Sequence, residues 1–309
     1  MIINTGQRTD IPAYYSEWFY NRIKEGYVLV RNPYYPEQVT RYELKPEVVD
    51  VLAFCTKNPA PMLDRLEELS AFRQFWFVTI TPYGRDIEPN VPPKENVVTS
   101  FCRLSEKVGK RCVGWRYDPI LIAGKYTVDY HIQAFEGLTA ALSGYTDQAV
   151  ISFVDLYQKT KRNFPQAREV TKAERAALGK AFAETGKRYG ITVRTCCEGT
   201  DLAVYGIDTQ GCMTKEVLEK ALGEKLTVPV RSGPRPQCSC LLGNDIGVYN
   251  TCRHFCRYCY ANYDRKTVLQ NVARHRPDSP FLIGEAQPGD KIRKAKQSSF
   301  ISDQLTISL

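Results

Sequence analysis

A chain of 309 residues, 43% hydrophobic and 25% charged, is long and apolar enough to bury its own core without disulfides. A formal charge of +8 is mild for this length, and no Lys/Arg block has the density of a nucleic-acid arm; the densest run, at 291–296, reads as solvated surface. No run is apolar and long enough to span a membrane and residues 1–10 do not read as a signal peptide, so a cytoplasmic protein is expected. In that reducing compartment the eleven cysteines argue against structural disulfides and raise the question of metals.

No repeat or low-complexity linker divides the chain. A single domain over 1–309 is expected, with a cysteine-rich segment at 196–262 and a C-terminal extension at 276–309. Apolar β-rich runs alternate with amphipathic ones. Residues 1–5 read as a short strand and 14–24 as a helix with Trp18, Phe19, Arg22 and Ile23 on one face. A strand at 48–54 is followed by a helix at 61–71, whose Leu63, Leu66 and Leu69 recur every third residue. Strands at 75–81, 112–116, 148–154 and 192–196 alternate with helices at Lys94–Val108, Val128–Leu142 and Lys172–Tyr189. A loop and helix at 206–222 lead to a short strand at 245–250 and a last helix at 267–275.

This alternation predicts an α/β fold with a parallel sheet covered by helices, a complete or partial TIM-like β/α barrel, with an open doubly wound sheet as the competitor. Reactive groups of such barrels collect at the C-terminal strand ends. Here those ends carry Arg8, Thr9 and Asp10; Lys57 and Asn58; Tyr83, Arg85 and Glu88; Arg116 and Asp118; Asp155; and Glu198. One such residue is ordinary loop polarity, but the set reads as a pocket lining.

The sharpest motif is Cys252-x3-Cys256-x2-Cys259. Three thiolates on one short loop can hold three irons of a [4Fe–4S] cubane and leave the fourth iron to a non-protein ligand. The alternative is structural zinc, which needs a fourth ligand such as His254 or another cysteine. His254, inside the loop, is read as a surface or supporting residue.

The spacing, with aromatic Tyr258 just before the third cysteine, resembles the cluster motif of radical S-adenosylmethionine (SAM) enzymes, whose aromatic lies beside the adenine. That superfamily places the motif after its first strand. Here strand, loop and helix come last, which implies a circular permutation that leaves the cluster unit C-terminal. The pieces Arg8-Thr9-Asp10-Ile11-Pro12-Ala13, Thr56-Lys57-Asn58-Pro59, Tyr83 to Pro89, Arg116-Tyr117-Asp118-Pro119 and Asp245 to Asn262 resemble the bacterial family called domain of unknown function 1848. Two of them also resemble spore photoproduct lyase-like proteins. Cys55 stands where an aromatic is expected, and Gly6-Gln7 where Ser and Arg are usual.

The resemblance implies an enzyme that reductively cleaves SAM to a 5′-deoxyadenosyl radical acting on an unknown substrate. It also implies a small flavodoxin- or ferredoxin-type reductant. Cofactor contacts would fall to Tyr258, Arg8, Thr9, Asp10, Lys57, Asn58, Arg116, Asp118 and Asp155. No Gly-Gly-Glu element for the methionine ammonium is present. Asp10 could pair with that ammonium and Arg8 with the carboxylate, or Asp10 could cap the helix that opens at Ile11-Pro12.

Cys197, Cys212, Cys238 and Cys240, with Cys196 nearby, form a possible second metal site for zinc or another iron–sulfur cluster; buried free thiols are the plain alternative. Cys102 and Cys112 are expected in the core. A non-catalytic or sensory iron–sulfur or zinc protein is the second functional reading. A nucleic-acid repair or modification enzyme ranks lowest, because few basic stretches are interleaved with aromatics.

Overall fold

The computed structural model describes residues 1–228, 238–241 and 243–301. Parts of the expected 196–262 and 276–309 segments therefore lie outside the described residues.

Strand β1 (Ile2–Asn4) leads into helices α1 (Ile11–Tyr14) and α2 (Ser16–Glu25). A hairpin of β2 (Tyr27–Arg31) and β3 (Gln38–Glu43) precedes β4 (Val51–Thr56). Then follow β5 (Gln74–Thr79), α3 (Lys94–Val108), β6 (Val113–Ile120), α4 (Val128–Leu142) and β7 (Gln148–Phe153). The chain continues through α5 (Gln158–Asn163), α6 (Lys172–Tyr189), β8 (Thr192–Thr195) and α7 (Lys215–Leu222). Strand β9 (Asn244–Asp245), α8 (Arg265–Val272) and β10 (Lys291–Lys294) complete it. No helix among the described residues is long and apolar enough to cross a membrane.

Seven strands form one parallel sheet in the order β8-β7-β6-β5-β4-β1-β9. The first strand of the chain thus lies between β4 and β9. Among the described residues the sheet is open, with β8 and β9 at its edges. The expected strand at 245–250 is shorter and begins earlier: Asn4 pairs with Asp245, and the Ile246 N–H still reaches the Asn4 carbonyl at 3.0 Å before the chain turns away.

Side chains alternate across the sheet with the period of two that strand geometry imposes. On the outer face Ile3, Leu52, Phe54, Trp76, Trp115 and Ile151 pack beneath the helices. Phe54 stacks on Trp76 at 3.9 Å, and Phe135 of α4 stacks on Phe182 of α6 at 3.9 Å. Each large apolar side chain removed from water contributes roughly 1.5–3 kcal/mol. The inner face carries Ile2, Val51, Ala53, Phe75, Phe77 and Val150, covered by Cys212, Met213, Val217, Leu218, Leu226 and Cys240.

Further elements differ from the sequence expectation. The run after β4 is a 3-10 helix over Ala60–Leu69, not an α-helix over 61–71. Leucines spaced every three residues superpose in a three-residue turn, and Leu63, Leu66 and Leu69 are all buried on that one line. The β2–β3 hairpin and β10 form a second sheet, ordered β10-β3-β2, that the sequence reading lacked. The basic run at its edge is exposed, as expected. Residues 276–301 are fastened to the body rather than appended to it. Trp18 Nε1 donates to the Ser279 carbonyl at 2.9 Å, and buried Arg22 donates to Asp278 O at 3.0 Å.

Candidate functional site

The cysteine loop leaves β9 and folds back on itself. Asn250 and Phe255 adopt positive φ (59° and 54°), which turns the chain sharply. The Asn250 N–H closes the loop on the Ala261 carbonyl at 3.0 Å, and Asn262 Nδ2 donates to Cys252 O at 2.8 Å. Cys252, Cys256 and Cys259 are free and half-buried. Burial pushes all three thiols up; the Lys57 ammonium pulls Cys256 and Cys259 the other way.

The loop docks on the C-terminal ends of β1, β4 and β5. Asp10 is the hub. Its Oδ1 accepts from the Ala13 N–H at 3.0 Å and from the Thr56 hydroxyl at 2.7 Å. Its Oδ2 accepts from the Lys57 N–H at 2.8 Å and pairs with His254 Nε2 at 2.8 Å. Asp10 is therefore a helix cap, and its four lone-pair positions are filled, so the expected ammonium contact would have to displace one of these donors. His254 is 2% exposed and not a surface residue. Its second ring nitrogen meets the Tyr14 hydroxyl at 2.8 Å, so both nitrogens are engaged and neither is free for a zinc ion.

A second segment, 83–91, clasps the loop from the other side. The Arg257 N–H donates to Ile87 O at 3.0 Å, and Asn90 Nδ2 donates to Arg253 O at 2.7 Å. Glu88, with a fully occluded side chain, accepts from Lys57 Nζ at 2.8 Å and from Thr81 Oγ1 at 2.7 Å, and also from Lys94 and the Tyr258 hydroxyl. Burial drives Glu88 up, but the two lysines outweigh it and hold the carboxyl at about 2. Burial likewise drives Lys57 down, but Glu88 and Cys256 raise it overall. Tyr258 lies 6.0 Å from the Tyr83 ring, and Lys57 Nζ lies 5.6 Å from the Tyr258 centroid. Lys94, five residues beyond the motif at 83–89, is a member of this network that the sequence reading did not single out.

The remaining expected residues divide. Arg8 lies over the Tyr249 ring at 5.5 Å. Thr9 is buried, and its hydroxyl has no protein partner; nor have Gln7 Nε2 and Asn262 Oδ1 on the flanking segments. Asn58 is a turn residue whose side chain accepts from Ala60 N at 3.2 Å. Arg116 Nε donates to Asp118 at 2.9 Å, and Ser152 donates to the other Asp118 oxygen. Asp155 accepts from the Tyr157 hydroxyl at 3.1 Å. Glu198 accepts from Phe153 N and Arg175, each at 2.8 Å, yet burial pushes it up to about 7. Gly6 and Cys55, the two departures from the family pattern, touch: a Cβ at Gly6 would stand 2.2 Å from the Cys55 carbonyl oxygen.

Of the other cysteines, Cys102 and Cys112 are half-buried rather than core, and Cys112 precedes β6. Among the described residues, no group of three or more His, Cys, Asp or Glu side chains is placed to hold a metal ion as it stands.

Residues 2–261 match the family described as domain of unknown function (DUF1848), and the chain belongs to that family. No curated protein and no solved structure matches it.

Proposed function

We propose that the chain is a radical SAM enzyme in which Cys252, Cys256 and Cys259 hold a [4Fe–4S] cluster. The observation that carries the reading is the seating of the cysteine loop at the C-terminal end of the sheet, pinned to Asp10 by His254 and bordered by Lys57, Glu88 and Tyr258. A zinc knuckle has no need of such a polar surround. The donor set fits a cluster with one open iron: three thiols on one loop, and no nitrogen of His254 left to complete a tetrahedral zinc site.

The order of elements fits a circular permutation. The strand that leads into the loop is last in the sheet's chain order, yet it pairs in parallel with the first strand. A partial barrel opened between its first and second β/α units would have this arrangement.

Such a cluster, reduced and with SAM bound, would supply the electron that breaks a carbon–sulfur bond of SAM to give a 5′-deoxyadenosyl radical and methionine. The protein's part is to bind and orient. Unpartnered Gln7 Nε2, Thr9 Oγ1 and Asn262 Oδ1 offer polar contacts beside the loop. Arg8 is suited to a carboxylate through paired N–H donors. Lys57 is held as a cation next to Cys256 by Glu88, which offsets thiolate charge. A small flavodoxin- or ferredoxin-type protein is the proposed electron source.

The test is anaerobic reconstitution followed by iron and sulfide analysis and a SAM cleavage assay under a chemical reductant. About four irons per chain and 5′-deoxyadenosine are expected. Stoichiometric zinc without iron at the loop would sink the reading, and a cluster that never cleaves SAM would favour a sensory protein.

A further inference from the structure

The inner face of the sheet holds a second set of thiols, separate from the loop and independent of the function proposed for it. They come from three places: Cys196 and Cys197 just after β8, Cys212 just before α7, and Cys238 and Cys240 in the next described segment. Cys212 Sγ lies 3.6 Å from Cys196 Sγ and 3.2 Å from Cys240 Sγ. Along the chain Cys197 adjoins Cys196, and Cys238 lies two residues before Cys240. The sequence set Cys197, Cys212, Cys238 and Cys240 omits Cys196, whose sulfur meets Cys212.

We infer that Cys196, Cys212 and Cys240, with a fourth thiolate from Cys197 or Cys238, bind a single tetrahedral metal ion of the zinc class.

Distance selects the class of metal. Four sulfurs about 2.3 Å from one zinc ion stand about 3.8 Å from each other. The observed 3.2 and 3.6 Å fall short of that by only a few tenths of an ångström. As placed, the thiols do not form a metal-holding set: the sulfurs rest on one another, so an ion would have to spread them and replace thiol protons. A cubane gives each cysteine a different iron and needs the sulfurs well apart.

The surroundings suit thiolates. The Met213 N–H donates to Cys240 Sγ at 3.4 Å, and Arg116 Nη1 donates to Cys212 Sγ at 3.4 Å. N–H donors of this kind orient thiolate ligands and temper their charge. The backbone is also shaped to bring the sulfurs together. Cys197 has φ 60°, unusual for a residue with a side chain. Gly211, at φ 124°, lets the 238–240 segment approach: a Cβ there would stand 2.9 Å from Ser239 Oγ and 3.3 Å from Cys240 Sγ. An ion here would tie three irregular segments to the inner face and give Arg116, already paired with Asp118, an anionic anchor.

Full-length protein, kept anaerobic and reduced, is titrated with Co²⁺. About one equivalent should give the strong d–d and thiolate-to-cobalt absorption of a tetrahedral all-sulfur site, displaced by Zn²⁺. Cys196→Ser, Cys212→Ser and Cys240→Ser should each weaken binding about tenfold or more, and Cys102→Ala should leave it unchanged. Cys252→Ala/Cys256→Ala/Cys259→Ala should keep the bands, so the result does not depend on the loop. Should that triple variant not fold, zinc X-ray absorption on the unmutated protein serves instead, with four sulfurs at about 2.3 Å expected. The inference is overturned if the reduced protein shows no tetrahedral cobalt spectrum, if the bands vanish only with the loop cysteines, if iron in a cubane occupies the inner thiols, or if Cys212 and Cys240 are recovered as a disulfide that takes up no metal after reduction.

Discussion

The two cysteine groups lie in one molecule but are built in opposite ways. Cys252, Cys256 and Cys259 come from eight consecutive residues, and the surrounding protein supplies charges and hydrogen bonds to hold that loop in place. The inner thiols come from three distant segments, and the sheet itself gathers them, sulfur against sulfur. Thiolates that each take a different iron of a cubane must stand well apart. Thiolates that share one ion must bring their sulfurs within about 4 Å of each other. The same residue type therefore points to two metal chemistries, and the deciding variable is the distance between sulfurs.

The largest expected effect separates the groups completely. Replacing Cys252, Cys256 and Cys259 by Ala should abolish the iron–sulfur absorption and reduce 5′-deoxyadenosine formation to the level without enzyme. Metal at the inner thiols should be untouched, as judged by metal analysis of the same sample. Loss of both metals together, in a variant whose circular dichroism matches the parent, would break the comparison by making the two groups one unit.

The next effect concerns what fixes the loop. Glu88 is buried between Lys57 and Lys94 and also receives Thr81 and Tyr258. Glu88→Gln leaves two ammonium groups facing a neutral amide. Breaking a buried pair in this way costs about 3 to 5 kcal/mol, because the orphaned charge stays buried. The paired change Glu88→Leu/Lys57→Met should cost less than Glu88→Gln alone. Denaturant unfolding under anaerobic conditions measures both. A single variant as stable as the parent would mean that water already compensates these charges and that the network is not what seats the loop.

How much of this was legible in the sequence follows the same division. The outer strands and helices were, because their apolar periods are long: α3, α4 and α6 have the bounds that the periodicity predicts. So was the cysteine loop, since its ligands are adjacent in sequence. The clasp over it was half legible. Glu88 stood out at a strand end, but its pairing with Lys94 depends on how the 83–91 turn meets α3. The role of His254 was hidden, because a lone histidine in a polar loop gives no sign that it will hydrogen-bond to Asp10, 244 residues away. The contact of Cys196 with Cys212 was hidden too. Spacing cannot say which of two vicinal cysteines turns inwards; the positive φ at Cys197 decides that. The 3-10 helix was misread although its signal was present, in a repeat of three rather than the 3.6 of an α-helix.

The smallest effect is a pH dependence that belongs to neither group, and it must be subtracted before any pH effect is assigned to one. His131 is fully buried on α4. Its Nε2 lies 2.9 Å from the Leu121 carbonyl, which can only accept, so Nε2 carries the proton. Nδ1 then accepts from the Tyr117 hydroxyl at 2.8 Å, and the ring is neutral. Burial holds its pKa down to about 4, with the Leu121 carbonyl pulling weakly upward, against 6.5 in a free chain. Above pH 6.5 the ring is neutral in both folded and unfolded states and adds no slope. Between 6.5 and 4 only the unfolded chain takes up the proton, so stability falls as pH falls, and below 4 the loss is complete. A gap of this size corresponds to about 3 kcal/mol over the whole window. His131→Gln should be less stable than the parent at pH 8, and its unfolding free energy should fall less steeply between pH 6.5 and 4.5. Parallel profiles for the two proteins would mean that His131 takes up its proton in the folded state as readily as in the unfolded one. The acid sensitivity would then have to be sought nearer the two thiol groups.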